Sequence, residues 1–317
     1  SHLGARMGNA PSTDAHLGLQ FERDALEQAG RFKIARVLPE GPSAIIENPV
    51  LPGEVLIALD GIPFNHHTNL WENLQHKVGK KVRLSLETSG GENRDIHVRP
   101  IGRTALENLS YRDWVVQNTD YTTRISNGRL GYVHIRQMGL ENLRRFLIDL
   151  DTEAHSCDGV VIDIRYNPGG HIATFILDVI AKRDFVLSSY RDKVTTLSAN
   201  LSGNRILNKP TILLTNEHSG SNSEMFSEGY RRLGLGKVVG TPTAGAVIWT
   251  GEWTFLDGST FRLPHIRVTT AEGENLERTP RPVDFHVERP LGEAARGIDS
   301  QLDKAVELLL NQIDAAS

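Results

Sequence analysis

The chain has 317 residues, of which 39% are hydrophobic and 23% are charged, and its formal net charge is −4. This composition is typical of a globular protein with two or three domains. The charge balance predicts no nucleic-acid partner, and no apolar run approaches the roughly 20 residues that span a membrane. Cys157 is the single cysteine, which excludes an intrachain disulfide. Because no His, Asp or Glu spacing is typical of a metal site, we predict no metal and no cofactor.

Residues 17–102 predict a small β-rich domain. Strands are expected where apolar and polar residues alternate, at Phe32–Val37, Val82–Glu87 and Asp95–Pro100. Apolar residues at helical spacing predict a helix over residues 69–77. The turn at residues 39–44 is expected to lead into another short helix.

From residue 103 onward, predicted helices and strands alternate. Residues 103–126 predict a polar, helical connector. The segments after it have the periodicity of a strand or a helix in turn: Gly131–Ile135, Leu140–Leu150, Gly159–Arg165, His171–Arg183 and Thr211–Thr215. A last helix is expected over Asp299–Ile313, with Asp299 or Ser300 as its N-cap. We therefore predict a mixed α/β (α+β) fold for residues 127–317.

The turn at Asn216–Glu224 is the most informative segment. It follows an apolar strand and opens a helix with apolar periodicity. Such a junction lifts a serine hydroxyl out of the backbone and places it at a helix N-terminus, where free N–H groups and the helix dipole stabilise an oxyanion. Ser221 is therefore the predicted nucleophile. The alternative is that Ser219, Ser221 and Ser223 are only turn and N-cap residues.

A second turn, Asn167-Pro168-Gly169-Gly170, precedes the helix that is expected at His171. Two glycines there expose backbone N–H groups and allow another backbone to approach closely. An oxyanion hole needs two N–H donors aimed at one point, and we predict that Gly170 and Asn222 supply them. A phosphate-binding loop has a similar composition, but neither of its glycine-rich patterns is present.

Three segments carry a family resemblance. They read GVVIDIRYNPGGHIATFIL, TILLTNEHSGSNSEMF and RLGLGKVVGTPTAG, and they follow the β-rich domain in this order. Together they resemble the tail-specific and C-terminal processing proteases, and within that set the tricorn-type serine peptidases. The β-rich domain, with GPSA followed by PGEVLIALDGIP, resembles a PDZ domain, which binds an extended peptide at an open strand edge. The resemblance implies a crotonase-like ββα serine peptidase core with a small PDZ-like domain.

The group that activates the serine separates the two subfamilies. Tail-specific proteases use a lysine at a position where this chain has Ala246. Tricorn-type enzymes instead use a histidine that is preceded by a serine, from before the PDZ-like domain, and a glutamate from near the C-terminus. The resemblance assigns these roles to His2, Ser1 and Glu277. His2 would take the proton of the nucleophile, Ser1 would orient His2, and Glu277 would polarise the pair through Ser1. Ser221 completes the predicted four-residue relay.

The predicted domain organisation has four parts: residues 1–16 with the catalytic Ser-His pair, residues 17–102 as the PDZ-like domain, residues 103–126 as the helical connector, and residues 127–317 as the catalytic core with its C-terminal helix.

Alternatives to this relay stay open. Ser1-His2 also has the composition of a purification-tag remnant, and Glu277 lies among charged residues, as in a solvated loop. His218 is the next candidate base, although the family has an aromatic or similar side chain there, which favours a residue of the wall or the core. Lys237 is expected on the surface, and His134 in the core.

The predicted substrate-binding residues are Gly169, His171 and Ser188. The family can carry a specificity-determining aspartate near residues 185–189, where this chain has no acid at the matching place, although Asp184 is close. This favours an apolar or mixed preference. The expected partners are a peptide or unfolded polypeptide substrate and further copies of the chain, as a trimer or hexamer, with neither nucleic acid nor membrane. No signal peptide is visible, and we expect a cytoplasmic protein.

The sequence thus predicts a serine peptidase that hydrolyses oligopeptides or unfolded segments through an acyl-enzyme. One alternative is a catalytically inactive, PDZ-containing scaffold that binds peptides. Another is a different reaction on a crotonase-like core, since folds of this kind host several chemistries. The PDZ-like domain and the turn at Ser221 count against the latter.

Overall fold

The computed structural model describes residues 4–6, 13–65, 67–154, 156–182, 187–188, 196–197 and 209–316. The chain forms two compact units, a smaller one within residues 9–117 and a larger one that holds residues 118–317. The first strand, β1 (Gly4–Arg6), belongs to the larger unit. Helices and sheets are both present in quantity, and the predicted mixed α/β class is confirmed. None of the described helices has the length and the apolar character that a bilayer crossing needs.

The smaller unit is built mainly from antiparallel strands. Its elements are β2 (Ala15–His16), β3 (Leu19–Phe21), α1 (Arg23–Ala29), β4 (Phe32–Val37), β5 (Val55–Leu59), β6 (Ile62–Pro63), α2 (Leu70–Leu74), β7 (Val82–Glu87), β8 (Asn93–Val98) and β9 (Ile101–Gly102). The main sheet has the order β3-β4-β5-β7-β8, with β6 paired to β5, while β2 pairs with β9. Strand β3 therefore lies at an edge of the described sheet.

Alternation in the sequence decides which face of this sheet is buried. Val82, Leu84 and Leu86 of β7 are buried, and they lie on the same face as the buried Ile96 and Val98 of β8. Successive side chains of a strand point to opposite faces, so the intervening polar residues face outward. The three predicted strands of this unit are confirmed.

The predicted short helix after residues 39–44 is wrong. Residues 39–48 form turns and bends. The N–H groups of Ala44 and Ile45 donate to Gly41 O at 2.9 and 3.2 Å, which closes a single turn. The Ser43 carbonyl then accepts from Val50 N at 3.0 Å and not from a helical neighbour. A single turn without propagation is unfavourable as a helix, and the longer-range hydrogen bond is formed instead.

Helix α3 (Arg103–Ile125) confirms that the segment predicted over residues 103–126 is helical. Its residues up to Gln117 belong to the smaller unit and those from Asn118 onward to the larger unit. The division of the chain into four functional segments, and the PDZ-like character of the smaller unit, stay predictions.

The larger unit alternates strands and helices. Its elements are β10 (Leu130–His134), α4 (Leu140–Ala154), β11 (Gly159–Asp163), α5 (Ala173–Ile180), β12 (Leu187–Ser188), β13 (Thr196–Leu197), β14 (Thr211–Thr215), α6 (Asn222–Arg232), β15 (Gly236–Gly240), β16 (Trp249–Thr254), β17 (Thr260–Ile266), β18 (Phe285–His286), a 3₁₀ helix (Ala294–Arg296) and α7 (Ser300–Ala316).

A parallel sheet with the order β10-β11-β14-β15-β18 forms the centre of the larger unit. Every residue of β10, β11 and β14 is buried, as continuous apolar runs covered on both faces require. Val160 and Ile162 pack in one core cluster with residues of α4, α5 and α6. The space beside Gly159, on the opposite face, is filled by Leu309 and Ile313 of α7. Helices therefore cover both faces of the sheet.

A separate three-stranded antiparallel sheet has the order β1-β17-β16. Strand β16 begins directly after residue 248. In β1, Gly4 lies opposite Arg262 and Arg6 lies opposite Thr260, whereas β17 ends at Ile266, opposite Trp249. Strands β16 and β17 form a hairpin. Followed from Arg6 back to Gly4, β1 thus runs toward the open end of this hairpin, where β16 begins.

Candidate active site

The candidate site forms where β11 and β14 end side by side. Because the two strands are parallel neighbours, the turns that follow them leave the same edge of the sheet and meet. We call the set of hydrogen bonds that joins these turns the seam. It consists of Tyr166 N to Asn216 Oδ1 (3.0 Å), Ser219 Oγ to Ile164 O (2.9 Å), Gly220 N to Asn167 O (2.9 Å) and Ser223 Oγ to Asn167 O (2.9 Å).

Ser221 has a strained backbone at the start of α6. Its φ is 56° and its ψ is −122°, whereas an ordinary N-cap residue has β-region angles. The Ser221 N–H donates to Ala246 O at 2.8 Å and to Glu224 Oε1 at 3.2 Å. The alternative that Ser221 is only an N-cap residue therefore accounts for its position before the helix but not for its positive φ. Strain of this kind persists where neighbours hold it, and it concentrates at functional sites.

The glycine turn packs directly against Ser221. A β-carbon at Gly169 would lie 2.5 Å from Ser221 Cβ and 2.8 Å from Asn222 N. A β-carbon at Gly170, whose φ is 148°, would lie 2.0 Å from Met138 O. Both contacts are closer than any side chain allows, so these two positions require glycine.

The predicted oxyanion donors, Gly170 and Asn222, lie on either side of this contact. Met138 N donates to Gly169 O and His171 N donates to Met138 O, so the N–H of Gly170 points away from residue 138. Asn222 is the first residue of α6, where a helix has no internal acceptor for the N–H. Within the described part of the chain, neither N–H group donates a hydrogen bond.

Glu224 is a site residue that the sequence analysis missed. Its carboxylate is fully buried and accepts from Thr243 Oγ1 (2.5 Å), Gly245 N (2.7 Å), Ala246 N (2.7 Å) and Ser221 N (3.2 Å). Burial raises the pKa of Glu224, and the hydrogen bonds from Thr243, Ala246, Gly245 and Ser221 act in the opposite direction. The spacing S-x-x-E from Ser221 to Glu224 is that of a capping box, which is the signal that could have identified this residue.

Glu277 binds the backbone that directly follows Ala246. Its Oε2 accepts from Val247 N at 2.8 Å and from Ile248 N at 2.9 Å. Residues 243–248, which we call the clamped segment, are thus bound by Glu224 at one end and by Glu277 at the other. Because Ala246 O accepts from Ser221 N, both carboxylates hold the backbone that supports Ser221. A solvated loop residue would have no such partners.

The structure describes the other predicted site residues to different extents. Ser1, His2 and Asp184 lie outside the described residues, and Ser188 lies in β12, of which only the backbone is described. His171 is exposed next to Gly170. Within the described ranges, no group of three His, Cys, Asp or Glu residues is arranged to hold a metal ion.

The alternative basic groups have other partners. The Lys237 side chain is 61% exposed and lies 3.9 Å from Asp284, in agreement with the predicted surface position. The His218 side chain is 60% exposed, its Nε2 lies 3.5 Å from Glu217, and its ring stacks on Tyr166. His218 is therefore a surface residue and not part of the core.

A buried ionic network lies at the end of β11, just before the glycine turn. Arg165 is fully buried and pairs with Asp163 at 2.7 Å and with Asp299 at 2.9 Å. Burial acts to raise the pKa of Asp163, but the adjacent Arg165 guanidinium holds this pKa below its ordinary value. Asp299 also accepts from Leu302 N at 3.1 Å, so it is the N-cap of α7. The network thus ties the C-terminal helix to the strand that ends at the site.

The burial of His134 is expected to make the stability of the larger unit depend on pH. It is buried, and its Nε2 lies 3.0 Å from Arg165 O. Burial lowers its pKa below the usual value of about 6.5. Below about pH 6.5 the unfolded chain binds a proton that the folded chain does not, so the free energy of unfolding is at its full value above this pH and decreases below it. The contribution of His134 to this slope is at most about 1.4 kcal/mol per pH unit, the value for one proton.

Urea unfolding at a series of pH values measures this effect. His134→Gln keeps an N–H donor for Arg165 O but does not titrate. Below about pH 6.5, the slope of its free energy of unfolding against pH should therefore be smaller, by up to the value for one bound proton. Equal slopes for the two proteins would contradict the assignment to His134.

Comparisons with known proteins show what this chain is similar to. The family model of Peptidase family S41 matches residues 129–287. The Tricorn protease of Thermoplasma acidophilum is 29% identical over 275 residues, which cover 86% of this chain and 25% of that protein. Tricorn protease homolog 1 of Streptomyces coelicolor is 29% identical over 325 residues, which cover 99% of this chain and 30% of that protein.

A solved structure shows the same fold. The crystal structure of the tricorn protease matches with a TM-score of 0.81 and 24% identity, over 95% of this chain and 29% of that chain. The present chain therefore spans between about a quarter and a third of the length of these relatives.

Proposed function

Because the chain belongs to Peptidase family S41, we propose that it is a serine peptidase of tricorn type, with Ser221 as its nucleophile. The observation that carries this proposal is the contact between the strained Ser221 and the glycine turn. It sets a hydroxyl-bearing residue beside the N–H groups of Gly170 and Asn222, which within the described residues donate to no other group. A nucleophile next to two such donors is the arrangement that acyl transfer needs.

The proposed reaction has two steps. Ser221 Oγ loses its proton to a base and attacks the carbonyl carbon of the scissile peptide bond, and the resulting oxyanion accepts hydrogen bonds from Gly170 N and Asn222 N. The C–N bond then breaks, the base returns the proton to the leaving amine, and an acyl-enzyme on Ser221 is left. Water, deprotonated by the same base, hydrolyses this ester and regenerates the hydroxyl.

We propose His2 as the base, oriented by Ser1, with Glu277 as the acid of the relay. Two observations on described residues support this choice. Followed from Arg6 back to Gly4, β1 runs toward the end of the β16–β17 hairpin where β16 begins. Ile248, the residue before β16, donates its N–H to Glu277. Followed from Arg6 back to Gly4, β1 thus points toward the backbone that Glu277 binds.

The residues around Ser221 argue against a serine–lysine mechanism. Ala246 O accepts from Ser221 N, so the residue at the lysine position of the tail-specific proteases is adjacent to the nucleophile but carries only a methyl group. His218 is less suited as the base, because its ring stacks on Tyr166 and faces Glu217.

The smaller unit is proposed to bind peptide segments in the manner of a PDZ domain. Strand β3 lies at the edge of its described sheet. A cavity of about 170 Å³ beside β3 and α2 is lined by Leu17, Leu19, Phe21, Leu70 and Trp71, among others. An open strand edge next to an apolar cavity suits an extended chain. We propose oligopeptides or unfolded polypeptide segments as substrates, and a homo-oligomer as the assembled state.

Labelling with a fluorophosphonate probe, followed by peptide mapping, tests this function. The chain should be labelled at Ser221, and a variant that lacks Ser1 and His2 should lose the labelling, because nucleophile and base act as a unit. Labelling that survives the deletion would assign the base to another residue, with His218 as the first to test. A folded protein that no probe labels would favour the alternative of a peptide-binding scaffold.

A further inference from the structure

An exposed aromatic pair lies on the seam and has no part in the proposed chemistry. The rings of Tyr166 and His218 stack with centroids 5.3 Å apart and an angle of 19° between their planes. Tyr166 is 50% exposed, and the His218 side chain is 60% exposed. The pair therefore presents an apolar surface to solvent at the sheet edge that carries Ser221.

The backbone beneath this pair is held firmly. Asn216 is buried, and its Oδ1 accepts from Tyr166 N at 3.0 Å and from His218 N at 3.2 Å. One side chain thus sets the spacing of both aromatic residues. The backbone of Tyr166 and of His218 is thus held before any ligand arrives, which lowers the entropy cost of binding to them.

Tyr166 is also in a conformation that disfavours its side chain. Its φ is 62°, in the left-handed region that asparagine tolerates and bulky residues avoid. Asparagine at this position would keep the backbone hydrogen bond to Asn216 at a lower conformational cost. An aromatic residue that is strained, exposed and next to a catalytic turn indicates a use for the ring itself.

The pair lies within reach of a bound substrate. His218 precedes Ser221 by three residues, so their Cα atoms are at most about 11 Å apart. Tyr166 precedes Gly170 by four residues on the other turn of the seam. An extended peptide advances by about 3.3 Å per residue, so a substrate side chain within about three residues of the scissile bond can reach the rings.

We infer that Tyr166 and His218 form a substrate subsite that selects an aromatic side chain close to the scissile bond. This inference rests on the proposed peptidase function and extends it to a substrate preference. Ring stacking is the interaction that a flat, exposed and pre-positioned aromatic pair offers best. Because the Asn216 side chain holds the backbone of both residues, the subsite needs no rearrangement of the two turns.

Peptide binding in a Ser221→Ala background tests the subsite without requiring turnover. The ligands are short fluorescent peptides of alanine, serine and threonine, each with phenylalanine at one successive position, and the parent peptide without phenylalanine. Phenylalanine at one or two positions should tighten binding by roughly 3- to 10-fold. This gain should vanish when Tyr166→Asn or His218→Ala is added.

His76→Asn is the matched control for Tyr166→Asn. His76 is an exposed residue of the smaller unit with a φ of 60°, so the change relieves the same kind of strain away from the proposed subsite. Both asparagine variants should fold with an unchanged or higher Tm, but only Tyr166→Asn should lose the gain from phenylalanine.

The possible outcomes separate the two proposals. A gain from phenylalanine that persists in Tyr166→Asn, or a weakening that is equal for all peptides, would overturn the subsite. The absence of any position at which phenylalanine helps would also overturn it. Failure of the peptidase proposal is seen independently, as a chain with an intact Ser221 that neither cleaves peptides nor reacts with the fluorophosphonate probe.

Discussion

Replacing Ser221 with alanine is expected to abolish peptide hydrolysis and fluorophosphonate labelling while the fold is retained. The loss in kcat should be on the order of 10⁵- to 10⁶-fold, as for other nucleophiles that act together with a base. Stability should change little, because the hydrogen bonds from Ser221 to Ala246 and Glu224 use the backbone N–H. Alanine keeps that N–H, and its β-carbon occupies the same place beside Gly169.

The measurement is the rate of peptide cleavage together with Tm for each variant. Ser227→Ala is a suitable control, since Ser227 lies on the same helix and its buried hydroxyl has no hydrogen-bond partner among the described residues. This variant should keep full activity and be at least as stable. If Ser221→Ala retained more than a small fraction of the activity, another residue would have to be the nucleophile.

Replacing Glu224 with glutamine is expected to reduce both activity and stability, although the two side chains have almost the same shape. The carboxylate accepts four hydrogen bonds, three of them from backbone N–H groups. In glutamine, an NH₂ group replaces one carboxylate oxygen and cannot accept a hydrogen bond. The protein groups that donate to that oxygen would then be left unpaired in the core. The expected cost is about 2–4 kcal/mol in the free energy of unfolding.

The activity of the Glu224→Gln variant should fall by roughly 100-fold in kcat. Without the carboxylate, Ala246 O loses its fixed place beneath Ser221 N, and a displacement of about 1 Å at a nucleophile has an effect of this size. Because Glu224 is fully buried, the loss should appear in kcat with little change in KM. Glu224 is thus a positioning residue.

Glu228→Gln separates this effect from a general loss of stability. Glu228 lies one turn further along α6 and pairs with Arg232 at 2.5 Å and Arg281 at 3.1 Å. Its replacement should lower Tm but leave the activity of the folded protein unchanged. The two variants are compared by urea unfolding and by kcat below the onset of unfolding. Equal activities in Glu224→Gln and Glu228→Gln would contradict the positioning role.

The sequence by itself determined the features that depend on neighbouring residues. The alternation at Val82–Glu87 predicts a strand, and the apolar run at Thr211–Thr215 predicts another, with the bounds that the structure has. The strand, turn and helix around Ser221 are likewise local. The sequence also places the N-cap of α7 at Asp299 or Ser300, and the structure selects Asp299. These patterns can be read directly because their hydrogen bonds and packing periods span only a few residues.

Only the tertiary structure decided what surrounds Ser221. Glu224 reaches Gly245 and Ala246, about twenty positions away, and Glu277 reaches Val247 and Ile248 from a further loop. No local pattern records these partners. They meet because parallel strands bring distant turns to one edge of the sheet, and because buried carboxylates and backbone N–H groups must find one another once water is excluded. The prediction of Ser221 as the nucleophile is therefore local, whereas the contacts that hold Ser221 in its strained conformation come from distant parts of the chain.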